Sequence, residues 1–136
     1  MSSWDAYIVN MENSKAKCKY AAIFGKTPVA PWAESKDKDF SVTPAEVGVL
    51  HQAITNQDQN ILATGLTLGK NKFTCLRLEP DILICQGKGD NKDHSLVIGV
   101  TLQAIIVAFN DTADVKTSML REVVEQLCEY LKANSY

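Results

Sequence analysis

Residues 61–81, ILATGLTLGKNKFTCLRLEPD, carry the two-residue period of β-strands. Phe73, Cys75 and Arg77 alternate with Thr74, Leu76 and Leu78, the pattern of a pleated strand with one face turned inward. Gly69-Lys70-Asn71 and Glu79-Pro80-Asp81 supply turn chemistry on either side, so Ile61–Leu68 and Lys72–Leu78 read as successive strands joined by tight turns. Downstream, Ile82–Cys85, Leu96–Thr101 and Ala104–Phe109 continue the meander, with the polar segment Gly87–Asp93 as a long hairpin loop. The period then returns to that of a helix. Leu120, Val123, Val124, Leu127 and Leu131 form one apolar stripe, with Arg121, Glu122, Glu125, Glu129 and Lys132 spread over the rest.

Upstream, Thr43-Pro44-Ala45-Glu46 has the form of a capping box with proline at the first helical position. Val47, Leu50, His51 and Ile54 line one face of that helix, which should end near Asn56. Before it, Cys18–Gly25 and Val29–Ala33 read as strands separated by a Thr27-Pro28 turn, and Glu34–Asp39 as a charged loop. Pro31 predicts a sheet edge for the second of these strands. At the start of the chain Trp4, Tyr7, Ile8 and Met11 recur at helical spacing, with Ser2 or Ser3 as cap and Asp5 complementing the helix dipole. The order helix, two strands, helix, five strands, helix predicts an α+β domain in which helices cover one mainly antiparallel sheet.

The 136 residues suit a single domain, 1–136, with a core that needs neither disulfide nor metal. No apolar run approaches the roughly 20 residues of a membrane span, and the N-terminus lacks the regions of a secretory signal, so a cytoplasmic protein is expected. Cys18, Cys75, Cys85 and Cys128 are widely spaced, form no C-x-x-C pair and read as reduced, buried thiols. A formal net charge of −2 and the lack of a basic stretch argue against nucleic-acid binding.

Catalytic and metal-binding patterns are missing from the sequence. His51 and His94 have no ligand spacing around them, and Gly87-Lys88-Gly89 precedes a strand instead of opening a helix. Asn110-Asp111-Thr112 matches a glycosylation sequon, which without a secretory signal reads as a lead into the last helix. The aromatic residues stand out instead. Trp4 and Tyr7 project from one side of a helix, Trp32 comes from a strand, and Tyr130 and Tyr136 from the last element. Chain ends are usually polar and frayed, so aromatics there imply docked termini. On residue chemistry alone two readings stand: core residues, or a shallow groove in which proline rings of a polyproline II helix stack on aromatic faces.

Ser3-Trp4-Asp5-Ala6-Tyr7-Ile8, Gly65-Leu66-Thr67-Leu68-Gly69-Lys70-Asn71-Lys72-Phe73 and Glu129-Tyr130-Leu131, together with Trp32, give the whole chain a resemblance to the profilin family. The resemblance implies a central antiparallel sheet with the N- and C-terminal helices packed together on one face and a further helix on the other. It implies a monomer without cofactor or metal, associated with the cytoskeleton and lacking catalytic activity. Its expected ligands are monomeric actin, proline-rich proteins such as formins and related elongation factors, and phosphoinositides. By position, the polyproline groove would comprise Trp4, Tyr7, Trp32, Tyr130, Leu131 and Tyr136. The actin face would draw on Lys72 and Arg77, on Lys88, and on Lys116, Arg121 and Glu125.

Relative to the family pattern, basic residues are missing around Cys85-Gln86-Gly87, and Gly99 and Val100 stand where lysines are common before Thr101. Weak phosphoinositide binding is the consequence expected. Two other classes compete: a divergent proline-peptide-binding, sensor or scaffold module with weak or no actin binding, and an enzyme with polar groups converging in a cleft.

Overall fold

Seven antiparallel strands form one sheet in the order β2-β1-β7-β6-β5-β4-β3 in the computed structural model, which describes residues 4–26, 29–35, 42–69, 71–89, 93–112 and 116–136. The elements are α1 (Trp4–Glu12), β1 (Tyr20–Lys26), β2 (Val29–Glu34), α2 (Pro44–Thr55), α3 (Asn60–Thr64), β3 (Leu66–Leu68), β4 (Asn71–Glu79), β5 (Ile82–Gly87), β6 (Ser95–Val100), β7 (Ala104–Asn110) and α4 (Thr117–Ala133). The expected fold class holds. β2 is an edge strand, as Pro31 predicts, because a residue without an N–H cannot serve a ladder on both sides.

Helices on both faces explain why β6 and β7 are buried along their whole length. Along β7, Ile105, Val107 and Phe109 join Val47, Leu50 and Ile54 of α2 in one core. The alternate residues Ala104, Ile106 and Ala108 join Ile8 and Met11 of α1 and Leu120, Val124 and Cys128 of α4 in the other. Small residues on this second face let the terminal helices approach closely. Gly99 is the tightest case: a Cβ there would lie 2.6 Å from Cys128 Sγ and 2.8 Å from Val124 Cγ1. This corrects the reading of Gly99 and Val100 as sites of missing surface lysines, since Gly99 lies beneath α4 and Val100 is 5% exposed. A lysine at either position would have to bury its charge.

The segment Ile61–Leu68 departs from expectation. Its first half is the helix α3, which follows Asp58 accepting from the Asn60 N–H at 3.1 Å, and only Leu66–Leu68 pairs with β4. Gly65 makes the reversal at φ 72°, and a Cβ there would sit 2.5 Å from the Phe73 carbonyl oxygen. Short apolar runs do not distinguish helix from strand, and Ile61 and Leu62 pack against the core from α3 as they would from a strand. Leu76 is exposed, and a bulge in the β4–β5 register between Cys75 and Arg77 leaves Arg77 exposed as well and lets Leu78 pack against the core of Phe73 and Cys75, while Glu34, expected in a loop, ends β2.

The capping box of α2 is formed: the Glu46 N–H donates to Thr43 Oγ1 at 3.2 Å and the Thr43 N–H to Glu46 Oε1 at 2.9 Å. His51 is half-buried, and this burial, helped by Lys26, pushes its pKa down. The sequon asparagine is structural. Asn110 is 2% exposed, and its amide nitrogen donates to the carbonyls of Ala16 at 2.7 Å and Lys17 at 2.6 Å. No helix among the described residues is long and apolar enough to cross a membrane. The Ser2 or Ser3 cap, the Thr27-Pro28 turn, Lys36–Asp39, Lys70 and Asp90–Lys92 lie outside the described residues.

Candidate functional site

Three distant segments of the chain bring five aromatic rings together. α1 supplies Trp4 and Tyr7, whose ring centroids are 5.5 Å apart because three residues make nearly one helical turn. Trp32 of β2 lies 4.8 Å from Trp4, Tyr136 meets Trp4 edge-on at 5.1 Å, and Tyr130 of α4 lies 6.0 Å from Tyr7. These separations fall in the range of favourable tilted and edge-to-face ring contacts. The rings are held without being buried, since Tyr130 is 51% and Tyr136 41% exposed.

The support beneath the rings comes from small residues and backbone bonds. Trp32 lies across Gly25, where a Cβ would come within 2.5 Å of the indole Nε1, so any side chain at 25 would displace it. Ser35 fastens α1 to the sheet: its hydroxyl donates to Glu12 at 2.7 Å and accepts from the Ala21 N–H at 2.9 Å. Tyr136 is tied by its N–H to the Leu131 carbonyl at 2.8 Å and by its carbonyl to the Thr101 hydroxyl at 2.7 Å, and the Gln103 N–H also donates to it. Burial, followed by the Tyr130 hydroxyl nearby, raises the Tyr7 pKa.

Leu131 does not join the exposed set. It is 1% exposed and falls with Leu120, Val124 and Cys128 on the sheet-facing stripe of α4, so its place is under the rings. That is a correction to its expected surface role. Between α1 and α4 a cleft of about 250 Å³, lined by Tyr7, Met11, Val123 and Leu127 among others, continues from the Tyr7 end.

The charged residues make a different arrangement. Arg121 of α4 donates through Nε to Glu125 at 2.6 Å and through Nη2 to Glu79 of β4 at 2.8 Å, and Arg77 pairs with the other Glu79 oxygen at 3.2 Å. Glu125 first and then Glu79 raise the Arg121 pKa. Lys72 and Lys88 are neighbours across β4 and β5, the Lys88 N–H donating to the Lys72 carbonyl at 3.2 Å. Lys116 is exposed at the N-cap of α4. The six residues therefore divide into a neutralised cluster of Arg77, Arg121 and Glu125, a lysine pair, and one separate lysine.

The Profilin family model matches residues 2–136. The chain belongs to the profilin family. It is 27% identical over 137 residues to profilin-2 of Caenorhabditis elegans, covering 100% of both chains. It is 39% identical to mouse profilin-1 over 79 residues, 57% of this chain and 54% of that one. Acanthamoeba castellanii profilin IB superposes with a TM-score of 0.82 at 28% identity, over 98% of this chain and 100% of that one. Mouse profilin IIa, solved in complex with a double repeat from the FH1 domain of mDia1, superposes with a TM-score of 0.81 over 99% and 100% of the two chains; at 20% identity this likeness speaks to the profilin fold alone.

Sequence reasoning missed Thr101, Gln103, Gly25, Ser35 and Glu79. Thr101, Gln103 and Ser35 act through contacts far apart in sequence and Gly25 through a ring across the β1–β2 hairpin, relations that no local pattern announces, and Glu79 read only as part of a turn. A concavity of about 550 Å³ between α2 and α3 holds Glu46, Gln52, Asn56 and Asp58. Among the described residues no group of three or more His, Cys, Asp or Glu is placed to hold a metal ion.

Proposed function

We propose that the chain binds proline-rich segments of actin regulators in the aromatic groove and monomeric actin through the face around β4, β5 and the first half of α4, acting by binding alone in the cytoplasm. The observation that carries the proposal is the mutually supported set in which Trp4, Tyr7 and Trp32 are part-buried and Tyr130 and Tyr136 are exposed. A polyproline II ligand is already extended, so its rings can stack on such a surface with little ordering cost. Family membership supplies the actin side, with Lys72, Arg77, Lys88, Lys116, Arg121 and Glu125 as contacts. Holding both ligands at once would let the protein deliver monomers to elongation factors such as formins.

Titration with decaproline while following tryptophan emission tests the groove, because both tryptophans of the chain lie in it. A pull-down with actin monomers tests the second surface. Failure of the first with success of the second would move the aromatic set back to a packing role. The opposite result would favour the second reading, a proline-peptide module with weak or no actin binding, which the neutralisation of Arg77 and Arg121 already supports.

Phosphoinositide binding is weak in this reading. Each lysine or arginine near an anionic membrane contributes about 1 kcal/mol, and Arg77 and Arg121 are engaged with carboxylates. Co-sedimentation with phosphoinositide vesicles should fall as salt is raised toward a Debye length of about 8 Å. Strong, salt-resistant association would overturn the charge argument.

A further inference from the structure

We propose that Cys75 and Cys85 form a modification site, a buried dithiol that hydrogen peroxide converts to an intramolecular disulfide across β4 and β5. The two are direct cross-strand partners, with sulfur atoms 3.6 Å apart. The phase of the ladder matters here. The Lys88 N–H donates to the Lys72 carbonyl, so that opposed pair is hydrogen-bonded. Stepping through Phe73/Gly87 and Thr74/Gln86, the alternation makes Cys75/Cys85 a non-hydrogen-bonded pair. Opposed Cα atoms at such a position are about 4.5 Å apart, inside the range of about 4.4–6.8 Å that a disulfide spans. The register shift between Cys75 and Arg77 begins at this pair, where a strand most readily adjusts to bring two sulfurs to bonding distance. On its other edge β4 is paired with β3 only over Asn71–Phe73, so the ladder holds Cys75 from the β5 side alone.

The chemistry is asymmetric. Cys85 donates its S–H to the Cys75 sulfur, which pushes the Cys75 pKa down, while the same bond and burial push that of Cys85 up. Cys18 and Cys128, by contrast, are pushed up to about 12, chiefly by burial, and stay as thiols. The Cys75 thiolate attacks one peroxide oxygen, the O–O bond breaks, and hydroxide leaves to take up a proton, giving a sulfenic acid. The Cys85 sulfur then attacks the Cys75 sulfur, the S–O bond breaks, and the departing hydroxide takes the Cys85 proton. Two thiols are oxidised, one peroxide is reduced, and two waters form.

Trypsin resolves the outcome because Arg77 lies between the two cysteines: cleavage after Lys72, Arg77 and Lys88 puts them in Phe73–Arg77 and Leu78–Lys88. After peroxide treatment of the native protein and alkylation of remaining thiols, these peptides should be recovered as one cross-linked species, lighter than their sum by two hydrogens and separated by dithiothreitol. The protein should remain monomeric, with Cys18 and Cys128 alkylated. Cys75→Ala should abolish the cross-link completely, and Cys85→Ala should do the same where the first variant folds poorly. Recovery of both thiols unoxidised, of Cys75 as sulfinic acid, of disulfides between chains, or of the cross-link only under denaturing conditions would overturn the proposal.

Discussion

Tyr130 and Arg121 both belong to α4, yet they serve two unlike surfaces. The nine positions from one to the other amount to about two and a half turns, so they point to opposite sides of the helix, about 13 Å apart along its axis. On the Tyr130 side, rings from α1, β2 and the end of the chain hold one another open to solvent. On the Arg121 side, the cationic groups already satisfy carboxylates within the chain. A ligand at the groove meets a surface already arranged, whereas one at the charged face must exchange ion pairs it finds in place. Under the proposed function, the difference predicts where affinity would reside: in apolar contact at the groove, and at the other face in a smaller, salt-dependent surplus.

Trp4→Ala is the largest expected break in this comparison, because Trp4 touches Tyr7, Trp32 and Tyr136 at once. Truncating a central interface aromatic costs about 2 kcal/mol or more, so decaproline affinity should fall roughly 30-fold by calorimetry while actin binding is retained. Unchanged decaproline affinity in a folded variant would remove Trp4 from the groove. Gly25→Val should come next. It displaces Trp32 without altering any aromatic residue, so a roughly 10-fold loss, about 1.4 kcal/mol, would show that the position of the indole and not merely its presence matters. Wild-type affinity with an altered emission maximum would mean that Trp32 is dispensable.

The same contrast marks how far the sequence could be read. Trp4, Tyr7, Ile8 and Met11 announce their helix by local period, and β7 announces itself by an unbroken apolar run, so the sheet, its edge at β2 and the three main helices were legible. The aromatic set was legible as residue types, but its assembly was not: Thr101 holds Tyr136 from 35 positions away, a relation with no period. Leu131 was assigned to the groove by family position alone, against the helical period that turns it toward the sheet, one residue from exposed Tyr130. Gly99 was read as a lost charge, although its role is to make room for Cys128 and Val124. The charged cluster was hidden for a related reason, since Glu79 belongs to a different element from Arg121.

Lys72→Glu combined with Arg77→Glu probes the other side. Both side chains are exposed, and reversing them places like charge against an acidic partner surface. Actin affinity should drop about 10-fold at low salt and by less as salt rises, with decaproline binding unchanged. Parallel loss of both activities in a variant with native circular dichroism would show that the two surfaces are coupled through α4 instead of being independent.

Glu125→Gln is the smallest expected effect and the most direct test of self-neutralisation. The carboxylate is 43% exposed and lies one helical turn from Arg121, so its ion pair is partly screened and is worth about 0.5 kcal/mol or less to stability. Thermal unfolding should therefore shift only slightly. Arg121 keeps its bond to Glu79 but loses a negative neighbour, which leaves the face more positive toward an acidic partner. If engaged ion pairs limit this surface, actin affinity should rise by up to about threefold at low salt, and the gain should disappear at high salt. A loss of affinity at every salt concentration would mean instead that Glu125 contacts the partner itself, and the face would then be a mixed-charge interface and not a muted cationic one.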